Sequence, residues 1–282
     1  MTDANADVSG SGWQAALRLG FASFKARTIL DRRQHEGPLM VQKPFYPEPG
    51  GVCHVYILHP PGGVVGGDRL RVEVDVGPGA HALLTTPAAG KFYRSAGAPA
   101  RQRQILNVDA DATLEWFPLE NIFYSGARVE TKTRIQLSAG SRFIGWDILC
   151  LGRPACGERF DTGRIDQRLE IWRDGTPLRI ERLLFAGNGP VLGARWGMAG
   201  YPVIANMVCV TSQAGLADKL REIKARPGDG ELLAVTGLDG LVVFRYLGHH
   251  VEHAKQYFIA AWEILRLAML RRKAVVPRIW NT

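Results

Sequence analysis

Residues 72–87, VEVDVGPGAHALLTTP, decide how the fold is read. In the run Leu70 to Val76, Leu70, Val72, Val74 and Val76 alternate with Arg71, Glu73 and Asp75. That period of two marks a half-buried strand. The GPG at 77–79 ends it, and a second apolar strand follows. The layout recurs in ILNVDADATLEWFP (105–118) and RIQLSAGSRFIGWD (134–147). Each copy is an alternating strand, a small or acidic turn and another apolar strand. The turns centre near Gly79, Asp111 and Gly140, so the copies are 32 and then 29 residues apart. A β unit recurring at this period predicts stacked layers, each covering the open face of the last.

Outward from the repeat, LEIWRDGTPLRI predicts a hairpin turning at Asp174-Gly175. PVIANMVCV reads as a buried strand. Ser212 is placed to cap a helix carrying Leu216, Leu220 and Ile223, with Pro227 beyond its end. A hairpin turning near Asp239-Gly240 comes next. The clearest helix carries Ala254, Tyr257, Phe258, Ala261, Trp262, Leu265, Ala268 and Met269 on one face. Lys255, Gln256, Glu263 and Arg266 are assigned to its opposite, polar face. Residues 1–12 are expected to be a disordered tail, 13–200 a β-rich stacked-strand body, and 201–282 a β-α-β-β-α portion packed on it. The fold class is therefore mainly β with C-terminal α/β elements: a β-helix-like body plus two helices.

Composition narrows the classes of function. The 282 residues are 46% hydrophobic and 22% charged, and include 32 glycines. A chain of this length buries a large core. The formal charge is +8, but the cations are dispersed and the longest basic run is Arg271 to Lys273. A solvated basic surface is expected, with no nucleic-acid partner. The cysteines Cys53, Cys150, Cys156 and Cys209 are too few and scattered for a disulfide framework. The polar, acidic start resembles no signal peptide, and no apolar run approaches a membrane span. A reduced cytoplasmic protein without a membrane partner is the expectation.

Chemistry is sought first in HPPGGVVGGDRL, residues 59–70. Gly62 and Gly67 have the glycine spacing of a phosphate loop, but Asp68 stands where a lysine is required. TTPAAGKFYRS (85–95) has Gly90-Lys91 without the other elements. Two readings of Asp68 remain open. It accepts backbone N–H groups of its turn, or it lines a polar cavity that handles a cation. His249 and His253 are four apart, with His250 beside them, a spacing that suits metal ligands but equally a helix start. Cys53 and His54 point to opposite faces of one strand, a poor chelate. Glu158 and Asp161 are a carboxylate pair of the kind that acts on glycans, so a β-helical carbohydrate-active enzyme is the alternative class.

Five stretches in order resemble the urease accessory protein family called UreD, also UreH. They are HPPGGVVGGDRL, TTPAAGKFYRS, LEWFPLENIFYSGA (114–127), GWDILCLGRPACGERF (145–160) and PRIWNT (277–282). The resemblance implies a β-helix-like body and a non-enzymatic role. It implies assembly with UreF and the GTPase UreG on apo-urease, and help in delivering Ni²⁺. It implies no tightly bound cofactor, only transient Ni²⁺. On that reading Asp68, Asp147 in GWDIL and Glu181 in RIERLL are candidates for an internal nickel path. Oxygen ligands suit transfer, because clustered imidazole and thiolate would hold nickel more tightly. Ile279 and Trp280 either dock on a partner or fold back.

Overall fold

The computed structural model describes residues 12–281 apart from 212, 227 and 229. The expected tail and the Ser212 and Pro227 helix signals therefore lie outside the described residues, save Gly12. The chain opens with the hairpin β1 (Gln14–Phe24) and β2 (Arg27–Glu36), then β3 (Met40–Val41) and β4 (Cys53–Leu58). Three-strand coils follow. The first is β5 (Arg69–Val76), β6 (His81–Thr85) and β7 (Gly90–Phe92). The second is β8 (Ala100–Val108), β9 (Thr113–Phe117) and β10 (Asn121–Phe123). The third begins with β11 (Arg128–Leu137) and β12 (Arg142–Leu151), and β13 (Arg164–Arg173) starts the next turn.

Corresponding strands stack in parallel. Leu70 pairs with Gln102 and Gln104 with Thr133, so the rungs repeat at the sequence periods of 32 and 29. Gly79, Asp111 and Gly140 turn the chain between the first and second strand of each coil, at φ of +66°, +58° and +72°. Only glycine, or a short polar residue such as Asp, enters this left-handed region readily. That is the physical content of the repeat.

Two sheets result. The first has the order β14-β13-β11-β8-β5-β1-β2, closed at one end by the hairpin of β13 with β14 (Thr176–Ala186). Its turn lies at Asp174-Gly175, both at positive φ. After the short α1 (Pro190–Gly193), β15 (Val203–Val210) pairs antiparallel with β12 and extends the second sheet. After α2 (Leu216–Arg221), β16 (Leu232–Leu238) and β17 (Leu241–Gly248) complete that sheet, whose path is β16-β17-β15-β12-β9-β6-β4-β3. Strands β7 and β10 form a narrow third face beside β12. The N-cap of α2 is Gly215.

The core has two compartments. Leu17, Val72, Leu84, Leu106, Leu114 and Phe143 fill the space between the sheets. Phe117, Trp146, Phe244, Phe258 and Trp262 fill the space between the second sheet and α3 (Val251–Leu270). The six apolar positions from Ala254 to Leu265 on the predicted α3 stripe are buried. Arg266 departs from the sequence reading: it is fully buried, not on the polar face. Trp280 folds back, its indole N–H donating to Thr85 at 2.7 Å among the rings of Phe117, Trp146 and Trp262.

Candidate functional site

The glycine-rich loop is a rung of the third face. Val64 bonds to the Lys91 carbonyl at 2.7 Å, and Tyr93 returns a bond to Val64 at 2.9 Å. Phe92 stacks in turn on Phe123, with centroids 5.0 Å apart. The two glycine-bearing stretches are thus neighbouring layers, not a phosphate cradle. Gly67 stands at φ +95° and delivers the chain to Asp68. Asp68 is buried, and its two oxygens accept the N–H groups of Trp13 and Val65, each at 2.8 Å. It closes the loop onto the strand that opens the chain. Burial lowers the pKa of nearby His59, and the Asp68 charge opposes that shift.

Asp147 and Glu181 lie elsewhere, together. A narrow cavity of about 60 Å³ opens between the sheets near the last coil. Strand β12 brings Asp147 from one side, β13 and β14 bring Gln167 and Glu181 from the other, and Gln104, Asn121, Thr133 and Asn206 add polar groups. Asp68 is not among its lining residues. Gly145 keeps the backbone close there, since a Cβ on it would sit 2.5 Å from the Phe143 ring. The Asp147 carboxylate accepts a hydrogen bond from the Gln167 amide and a long one, 3.5 Å, from Asn121. Burial pushes its pKa up to about 6, the two amides oppose the shift, and the Glu181 charge adds to it. Glu181 pairs with Arg179 at 2.5 Å. Gln167 Oε1 and Arg179 Nε are buried without a hydrogen-bond partner. Polar atoms in that condition are costly; of the two, only Gln167 lines the cavity, where its oxygen is spare bonding capacity.

Across the second sheet lies a cluster that sequence reasoning missed. Arg266 reaches Glu48 at 2.7 Å and Glu115 at 3.1 Å, and donates to the Lys273 carbonyl at 2.7 Å. His54 sits 2.7 Å from Glu48 and His81 2.6 Å from Glu115. Trp262 donates to the other Glu115 oxygen at 2.5 Å. Burial acts to raise the Glu48 pKa, but hydrogen bonds from His54 and Arg266 outweigh it and hold the group at about 2. Glu115 is likewise held below the usual carboxylate range, against its burial, by His81 and Arg266. An unbroken α3 stripe would have called for an apolar residue at 266. His54 and Glu115, polar residues in otherwise apolar strands, were the available signal; Glu48, in the loop before β4, gave none.

The remaining candidates are engaged structurally. His253 contacts Glu231 at 2.6 Å and Arg226 at 2.8 Å, and His249 packs on Tyr201. Cys150 is buried while Cys156 is exposed. Glu158 and Asp161 are each ion-paired with arginine, Arg153 at 2.6 Å and Arg159 at 3.8 Å. Among the described residues no group of three or more His, Cys, Asp or Glu is placed to hold a metal ion, and no helix is long and apolar enough to cross a membrane.

The chain is thus of the three-faced solenoid class, with a small cavity of mixed apolar and polar lining between its sheets. The sequence model of the UreD urease accessory protein family matches residues 14–281. The chain is 48% identical to the urease accessory protein UreD of Dechloromonas aromatica strain RCB over 96% of this chain and 95% of that one. It is 46% identical to UreD of Azoarcus sp. strain BH72, over 96% and 95%. It is 45% identical to UreD 2 of Brucella anthropi, over 96% and 99%. The chain belongs to the UreD family of urease accessory proteins.

Proposed function

We propose that this chain acts in the cytoplasm as a non-catalytic scaffold for nickel insertion into apo-urease, in a complex with UreF and the GTPase UreG. It holds no metal or cofactor tightly and passes Ni²⁺ through its interior. The observation that carries the nickel reading is the Asp147 and Glu181 pair in an amide-lined cavity inside a chain of this family. A carboxyl group with a pKa of about 6 is ionised at neutral pH and changes protonation at modest cost. Oxygen and amide donors bind nickel weakly enough to release it. Asp68 serves the same path indirectly, by holding the loop beside the opening strand.

The test is co-expression of UreF, UreG and apo-urease with the wild-type chain, with Asp147→Asn, with Glu181→Gln, and without the chain. Urease nickel content and urea hydrolysis are the readouts. Omission is expected to leave assembled, nickel-poor urease, and the two variants to cut nickel loading at least several-fold while still co-purifying with the partners. Normal loading by the double variant would eliminate the internal path. Normal loading without the chain would eliminate the accessory role here.

A further inference from the structure

Cations that are dispersed along the chain are collected by the coil. Arg71 on β5 lies opposite Arg103 on β8, and Arg103 opposite Lys132 on β11. Lys132 lies opposite Arg168 on β13, and Arg168 opposite Arg182 on β14. Five consecutive strands thus present one cation each in a single row on the outer face of the first sheet. The side chains of Arg71, Lys132, Arg168 and Arg182 are 39–59% exposed, and Arg103 is also exposed. The row runs along the floor of a depression lined, among the described residues, by seven cationic side chains against three carboxylates.

Like charges directly opposite one another weaken a sheet. Flanking carboxylates relieve part of the row: Glu73 pairs with Arg71, Glu170 with Lys132 and Arg168, and Asp166 with Arg182. Arg103, at the second position, has no ion pair among the described residues. We infer that this row is a docking surface for an acidic helix of a partner protein. Neighbouring strands are about 4.8 Å apart. A helix rises 1.5 Å per residue, so carboxylates at i, i+4 and i+7 recur about every 5.3 Å along one face. A helix lying across the strands would set one carboxylate near each cation for about 19 Å, four strand spacings. A single-stranded nucleic acid fits less well, because no aromatic side chain among the described residues lines the depression, and Glu130 and Asp166 would repel a continuous phosphate backbone. The surface is read from register and charge alone, and stands whether or not nickel passes by Asp147.

The probe is a fluorescein-labelled helical peptide of alanine with glutamate at i, i+4 and i+7 spacing, followed by anisotropy. Comparators are the same peptide with lysine for glutamate and a single-stranded 20-nucleotide DNA. Arg103→Glu sets a carboxylate between Arg71 and Lys132, and Arg195→Glu makes the same charge change on an exposed residue outside the depression. The acidic peptide is expected to bind, to weaken at least five-fold between 50 and 200 mM salt, as roughly expected of contacts screened within a Debye length, and to weaken at least about ten-fold in Arg103→Glu but less than two-fold in Arg195→Glu. Arg103→Glu should melt at or above the wild-type temperature, since it relieves the row. If it melts lower, the double variant Lys132→Gln/Arg168→Gln takes its place with the same expected loss. Equal weakening by the two glutamate substitutions, no binding of the acidic peptide, or tighter Arg103-dependent binding of the DNA would each overturn the assignment.

Discussion

On the outer face of the second sheet, Arg266, Glu48, Glu115, His54, His81 and Trp262 form a buried cluster in which both carboxylates are paired with cationic or N–H donors. On the inner face of the same sheet, Asp147 faces Glu181 of the first sheet, a group of like charge, and Gln167 Oε1, also of the first sheet, lacks a partner. The environments move carboxyl groups in opposite directions, Glu48 down to about 2 and Asp147 up to about 6. The carboxylates of the first cluster are held ionised by their donors, although His54 Nδ1 there is buried without a partner; that of Asp147 meets a like charge and has its pKa raised. The first cluster fastens α3 to the solenoid; the second ties no element down by an ion pair of Asp147.

The comparison breaks most readily at Arg266. Arg266→Ala strands two buried carboxylates and should cost about 3–5 kcal/mol in urea unfolding; a loss under 1 kcal/mol would mean that water or rearrangement already compensates the pair. The next effect is a pH slope. Because the Glu48 pKa is lowered from 4.5 to about 2 on folding, its contribution is complete above pH 4.5 and vanishes as the pH falls toward 2. Its full size is about 3 kcal/mol. Wild type should exceed Glu48→Gln in stability at pH 7, and the gap should fall to roughly half or less at pH 3 and close near pH 2.

Asp68 resembles the first cluster more than the second, since both its oxygens are occupied. Asp68→Ala should lose about 2 kcal/mol, visible as a lower melting temperature. Loss of urease activation in that variant should be restored by lowering the expression temperature if loop closure is its role. The last effect has the opposite sign. The Asp147 pKa is raised from 3.8 to about 6 on folding, so its ionisation subtracts stability as the pH rises between those values. Asp147→Asn should be more stable than wild type by up to about 3 kcal/mol at pH 8, and the two should converge as the pH falls below 3.8. A variant that folds better yet loads less nickel would separate the two clusters by function as well as by energy.

The solenoid was legible because its turns demand unusual backbone, and Gly79, Asp111 and Gly140 announce that demand at regular intervals. The α3 stripe was legible from its period. Arg266 was not, because a long cationic side chain at a boundary position reads as exposed until its two carboxylates, 151 and 218 residues away, are in place. Asp147 and Glu181 were picked out by family resemblance, and nothing local in GWDIL or RIERLL announces their common cavity. For Asp68 the backbone-accepting alternative, already open in the sequence, is the one its hydrogen bonds describe. The five-cation row was invisible for the same reason that the fold was visible. A spacing of about thirty residues dilutes charge along the chain and concentrates it across the sheet.

The bond between Trp280 and Thr85 joins residues separated by 195 positions. At ribosomal speeds of about 5–20 residues per second, Thr85 leaves the peptidyl centre roughly 10–40 s before its partner is made. Within that interval, from the synthesis of Phe117 and Trp146 until α3 begins at Val251, the outer apolar face of the second sheet has no helix to cover it. A nascent chain of this design carries an adhesive surface for much of its synthesis. Its yield in the cell should therefore depend on how soon α3 or a holding factor arrives, more than on the equilibrium stability of the finished protein.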